Sequence, residues 1–187
     1  MKHIVVFGTF DTKGEEYHYL ISHIRAAFDG EITTIDVAGM PYTPSFIPTI
    51  SNIAVAQRAG YTEEDLRRAD RLKGVEIMIE GLKLVLSDLS AEDKMDGVIA
   101  LGGGAGTIMG LEAMKSLPIG FPKIMVSTIA TSAKIGAYVE GNDIMVMNSV
   151  VDISGLNKIS RKIFNMAAGA DRKSTRLNSS HQKISYA

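Results

Sequence analysis

The chain has 187 residues, 45% hydrophobic and 22% charged, an ordinary globular mix with enough length for one full core. A formal net charge of −1 gives no basis for electrostatic capture of nucleic acid, and the absence of cysteine removes disulfides, thiolate metal sites and cysteine nucleophiles. No apolar run approaches the ~20 residues of a membrane span, and "MKHIVVFGTF" lacks a leader's cleavage site, so a soluble cytoplasmic protein without a membrane partner is expected.

"KHIVVFG" (2–8) reads as a buried strand closed by Gly8. A helix over 13–28 follows, with Tyr17, Leu20, Ile21, Ile24 and Phe28 on one face. Asp29-Gly30 breaks it, and "EITTIDV" (31–37) is the second strand. Residues 39–60 form a long connection with three prolines and a helical turn near 52–58. Thr62 caps a helix that runs to about Asp88, with acids in its first turn and with Gly74 and Gly81 placed for close packing. "DGVIALG" (96–102), "FPKIMVST" (121–128) and "DIMVMNS" (143–149) are further strands. They alternate with a helix over 106–116, a loop or short helix, and a last helix over 155–168. Apolar strands alternating with helices predict a Rossmann-like, doubly wound, mostly parallel α/β sheet over residues 1–170.

In such a sheet, ligands bind at the carboxyl ends of strands. Four loops fall there. "GTFDTKGEE" contains Gly8, Thr9, Asp11, Thr12, Lys13 and Gly14. Thr12 and Glu15 have capping-box spacing, while Lys13 is either a phosphate-neutralising charge or a solvated lysine. "GGGAGT" holds Gly102, Gly103, Gly104, Gly106 and Thr107. Bare backbone at a helix start favours phosphate, although a tight strand–helix turn would use the same residues. Ser127 and Thr128 end the fourth strand as phosphate ligands or caps. Asp152 and Asn157 precede the last helix as its caps, and Asp152 could instead hold a metal or a ribose. His18 and His23 are five apart and share no helix face, and no cluster suggests a protein-bound transition metal.

Residues 171–187, "DRKSTRLNSSHQKISYA", change character. They carry four of the 20 Lys+Arg and one of the 21 Asp+Glu, so the rest of the chain has 16 basic and 20 acidic residues, a net of −4. The segment resembles one reading frame of a sequencing-adapter oligonucleotide. It is expected to be a non-native, disordered tail after a gene fragment that ends near Ala170.

Together "GTFDTKGEE", "GGGAGT", "KIMVSTIA" and "SVVDISGLNKISR" resemble, in order and spacing over residues 1–170, the Tm-one-like ATP-binding domain family. The resemblance implies an α/β fold of two subdomains, the second largely missing here. It implies a nucleotide partner, ATP with or without Mg2+, and self-association into a homo-oligomer. By motif it places Gly8, Thr9, Asp11, Thr12, Lys13, Gly14, Gly102, Gly103, Gly104, Gly106, Thr107, Ser127, Thr128, Asp152, Gly155, Leu156 and Asn157 at signature positions. Members commonly have Ala-Ser-Gly after the Ser-Thr pair, whereas this chain has Ala130-Thr131-Ser132, which bears on how that loop approaches a ligand.

Three functions follow as expectations. The first is a nucleotide-binding protein with no assigned reaction. The second is a small-molecule or nucleotide kinase, because "GGGAGT" is similar to the Gly-Gly-Asp-Gly-Thr loop of nicotinamide-nucleotide and lipid kinases. That loop's acid is missing here unless Asp11 or Asp152 substitutes. The third is a non-catalytic oligomeric scaffold that uses the 39–60 connection.

Overall fold

The structure, a computed structural model, describes residues 1–181, without the side chains of Arg172 and of residues 176–181. Five strands form one sheet: β1 (Lys2–Gly8), β2 (Gly30–Asp36), β3 (Gly97–Gly102), β4 (Lys123–Ser127) and β5 (Met145–Asn148). All pairings are parallel, in the order β2-β1-β3-β4-β5. This is the doubly wound layer expected from continuous apolar strands. Along β1, Ile4 and Val6 enter one core while Val5 and Phe7 enter the other, as the two-residue strand period requires.

Helices α1 (Phe10–Ala27) and α7 (Lys158–His181) cover the face holding Ile4 and Val6. The opposite face is covered by α2 (Asn52–Arg58), α4 (Arg71–Ala91), α5 (Gly104–Met114) and the shorter α6 (Ala133–Val139). Between α2 and α4 lies α3 (Glu63–Arg68). Its Thr62 cap is closed reciprocally: Thr62 Oγ1 accepts the Asp65 N–H at 3.1 Å, and Asp65 Oδ2 accepts the Thr62 N–H at 2.8 Å. The single helix expected from Thr62 to Asp88 is two. Asp70 accepts the Lys73 N–H at 2.8 Å and starts α4 afresh. Gly74 and Gly81 do allow close approach, since a Cβ at either would collide with the carbonyl oxygen of Gly39 or Val55.

The last helix differs most from expectation. Asn157 caps it and the chain stays helical through His181, where a disordered tail was expected from residue 171. The 171–181 stretch lacks Gly and Pro, so nothing in it terminates a helix already running. Residues 182–187 lie outside the described residues. Of the residues near Ala170, Phe164 is buried, whereas Met166 is 61% exposed.

The extended helix buries Asp171 and Thr175 beside Gly97, and neither side chain finds a hydrogen-bond partner among the described residues. Burial raises the Asp171 carboxyl pKa to about 7. Its folded pKa lies above its unfolded value, so it opposes stability increasingly as pH rises from about 4 to about 7. Asp171→Ala is expected to remove this slope and stabilise the chain at pH 7.5. The gain has an upper scale on the order of 4 kcal/mol, three pKa units. Thermal melts at pH 4.5, 6 and 7.5 measure it.

At the opposite end of the sheet from the loops, Lys123 is fully buried. Its Nζ meets Asp143 Oδ1 at 2.5 Å and donates to the Pro118 carbonyl at 2.8 Å. Burial opposes ionisation of Asp143, but hydrogen bonds from Lys123 and the Gly120 N–H outweigh it and hold the carboxyl below its usual range. A depressed folded pKa means that this pair's stability is full above about pH 4 and is lost as pH falls below it. Asp143→Asn should cost about 2 kcal/mol at pH 7. That is less than for a fully buried pair, because a third of Asp143 is exposed. The variant should also show a smaller loss of stability on acidification, which urea titrations at pH 7 and pH 3.5 compare.

Candidate functional site

The chain leaves β1 towards β2 and later returns on the other side of β1 at β3. The loops after β1 and β3 therefore diverge to opposite faces and leave a crevice between them. Pairing of these strands ends at Phe7↔Ala100. Just beyond, Tyr17 of α1 pushes its hydroxyl into the gap. It accepts the Leu101 N–H at 2.7 Å and lies 2.5 and 2.8 Å from the Leu101 and Phe7 carbonyls, donating to one of them. Burial raises the phenol's pKa, and the Asp36 and Glu16 charges add to the effect, so the hydroxyl stays neutral. Gly8 exists for this ring, because a Cβ there would overlap it. Gly8 thus has a packing reason for being glycine.

The β1–α1 loop is held from β2. Thr9 occupies the N-cap position of α1, yet its side chain caps nothing. The buried Asp36 takes that role: its Oδ1 accepts the Phe10 N–H at 3.2 Å and the Ala38 N–H at 3.0 Å. Burial raises its carboxyl pKa, opposed by these two bonds. The Tyr42 phenol approaches Asp36 without reaching hydrogen-bond geometry. With α1 started at Phe10, the expected Thr12–Glu15 capping box does not form. Thr12 N–H bonds Asp11 Oδ1 at 2.8 Å instead, and the helix is kinked at Lys13 (φ −135°, ψ 27°). Lys13 is not freely solvated, since Nζ donates to the Ile153 carbonyl in the β5–α7 loop. Nearby, the buried Glu16 accepts the Gly155 N–H at 2.6 Å.

In the glycine loop, only Gly102 is required by its own surroundings. A Cβ there would lie 2.6 Å from the Thr107 nitrogen. At Gly103 the nearest atom would be Thr128 Oγ1 at 3.9 Å, at Gly106 the Leu101 carbonyl oxygen at 3.9 Å, and at Gly104 nothing within 4 Å. None of these glycines has a positive φ. Thr107 and Ser127, expected as ligand contacts, turn inward and are fully buried. They share a 2.8 Å hydrogen bond, and Thr107 also donates to the Gly102 carbonyl at 3.2 Å. In this structure they fasten the loop from beneath and do not line the cleft. Thr128 is half-buried, its N–H on the Gly102 carbonyl at 3.1 Å.

A cleft of about 510 Å³ opens between the two loops, lined by Thr9, Asp11, Thr12 and Lys13 on one side and residues 103–106 on the other. A smaller one of about 330 Å³ lies on the far side of the first loop and includes Gly14, Tyr42 and Gly155. Asp152 is exposed and lines neither cleft. Asn157 is also outside both and caps α7, its Oδ1 accepting the Ile159 and Ser160 N–H groups at 2.9 and 3.0 Å. The structure adds Gly39, Met40, Arg71, Val75 and Met109 to the main cleft. Nothing local in "DRLKGVEI" singles out Arg71 and Val75; only the packing of α4 brings them there. Asp36 had one signal, an acid at the end of an apolar strand. Asp11 is the one carboxylate among the residues lining the main cleft, and no group of three metal-ligating side chains occurs among the described residues. Also among the described residues, no helix is long and apolar enough to cross a membrane.

Comparison with known proteins bears out the resemblance read from the four motifs. A model described as the N-terminal domain of an uncharacterised protein family (UPF0261) matches residues 2–173. A UPF0261 protein of Clostridium tetani is 39% identical over 170 residues, covering 90% of this chain and 41% of its own length. UPF0261 protein RA0729 of Rhizobium meliloti is 42% identical over 171 residues, with 91% and 41% covered. The ToMV resistance protein Tm-1(GCR237) of Solanum lycopersicum is 32% identical over 184 residues, with 89% and 24% covered. The chain thus spans about two fifths of the bacterial relatives' length.

Proposed function

The chain belongs to the uncharacterised protein family UPF0261, and we propose that its N-terminal domain binds a nucleotide, ATP by preference, with the phosphates against residues 103–106. One observation carries this reading. Three glycines of that loop border the cleft although neither contacts among the described residues nor a positive φ requires glycine there. Space kept clear of side chains beside the first N–H groups of α5 suits a ligand that approaches the backbone closely and carries negative charge. The position at the β1/β3 switch of the sheet supports the same reading. Any Mg2+ would be carried mainly by the phosphates, with Asp11 the protein carboxylate available to it.

A second reading, phosphoryl transfer, is favoured by one fact: Asp11 lines the same cleft as the glycine loop. It would supply the acid that the loop itself lacks, whereas Asp152 lies outside. Calorimetric titration of ATP into the protein tests binding, and loss of the γ-phosphate over hours tests transfer. Absence of binding heat at millimolar ATP would remove both readings.

A further inference from the structure

Arg71 stands out by what it does not do. Four cations fall between residues 67 and 73. Arg67 pairs with Glu63, Arg68 with Glu64, and Lys73 with Glu76. Arg71 is exposed and makes no hydrogen bond or ion pair among the described residues, yet it lines the main cleft. Its place there is built. The Asp70 cap fixes the first turn of α4, and Gly74, one turn on, lets that turn press against the backbone at Gly39 on the β2 exit. Lys13, the other cation of the cleft, is already engaged by the Ile153 carbonyl. The cleft therefore offers anionic groups two separate kinds of donor, the neutral N–H groups at residues 103–106 and one uncommitted guanidinium from another element.

We infer that Arg71 reads the length of the phosphate chain: the loop takes one phosphate, and Arg71 takes a further one. The ligand class is a nucleoside di- or triphosphate rather than a monophosphate. The inference rests on the proposed nucleotide reading of the cleft. A guanidinium suits this task because its planar fork binds a phosphate through two parallel hydrogen bonds and keeps its charge at every working pH.

The test is a titration series of AMP, ADP, ATP and tripolyphosphate against the protein, Arg71→Met and Arg71→Lys, at 50 and 300 mM salt, with folding checked by circular dichroism. In the parent, affinity should rise at least tenfold from AMP to ATP, the scale of one added charge-assisted contact. Arg71→Met should flatten that rise to threefold or less while leaving AMP affinity unchanged. Arg71→Lys should restore part of it, and the gain should shrink at high salt. If Arg71→Met keeps the full rise, or loses AMP and ATP equally, the inference is overturned while nucleotide binding stands. If tripolyphosphate binds and depends on Arg71 but no nucleotide binds, the nucleotide reading falls and the role of Arg71 survives. If none of the four binds the parent, both fall.

Discussion

Gly103→Val should weaken ATP binding by more than a hundredfold and leave the fold intact. The two halves of this expectation come from the same geometry. Among the described residues, a Cβ at position 103 would find nothing nearer than Thr128 Oγ1 at 3.9 Å, and φ there is −76°, outside the left-handed region that favours glycine. The protein therefore tolerates the side chain, and the melting temperature should fall by no more than about 3 °C, since 1 kcal/mol corresponds to roughly 2–4 °C in a chain of this size. The methyl groups instead fill the space that a phosphate would need beside the helix N-terminus. Loss of two charge-assisted hydrogen bonds, at about 1.5–3 kcal/mol each, gives the hundredfold or more. Gly102→Val is the contrasting control: its Cβ meets the Thr107 nitrogen at 2.6 Å, so it should unfold the loop or the chain. Unchanged ATP affinity in a folded Gly103→Val protein would show that the loop is only a turn.

The largest loss of stability outside the glycine loop is expected from Tyr17→Phe. The substitution removes one oxygen and leaves the ring packing in place. It also strips the Leu101 N–H of its acceptor and one carbonyl of Phe7 or Leu101 of its donor, deep in the sheet. Buried groups orphaned in this way cost about 1–3 kcal/mol each, so a loss of about 2–4 kcal/mol is expected, or roughly 5–12 °C in melting temperature. Because the two loops of the cleft begin at these strand ends, ligand affinity should fall as well. Differential scanning calorimetry would expose the alternative: a shift under 2 °C would mean that water or a backbone adjustment replaces the hydroxyl.

Much of the layer was legible because apolar strands and amphipathic helices alternate with distinct periods. The switch-point loops followed from the fold class alone. What sequence could not supply was direction. Thr107 and Ser127 read as hydroxyls beside a glycine loop, and only the pairing of β3 with β4 shows them turned inward towards each other. Gly8 and Gly102 look the same as Gly103 in the sequence, yet the first two make room for Tyr17 and the Thr107 backbone, and the third faces open space. The start of α1 was misplaced because its cap, Asp36, comes from a neighbouring strand 26 residues away. Arg71 was invisible for a similar reason, since its role depends on where α4 lies. The helical run through residues 171–181 shows the converse, a composition without an apolar face carried on as helix because nothing in it stops one.

The buried Thr107–Ser127 hydroxyl pair has a thermodynamic consequence for whatever enters the cleft. A segment with four glycines in seven residues has more backbone freedom to lose than almost any other, about 1–2 kcal/mol per residue when fixed. Here the restraint comes from below: the hydroxyl pair, the Thr107 bond to the Gly102 carbonyl and the Thr128 N–H on that same carbonyl anchor the loop at both ends. Its disorder is removed when the chain folds, not when a ligand arrives. An anion entering the cleft would meet donors whose positions are already set, so little of its binding free energy would go into ordering the loop.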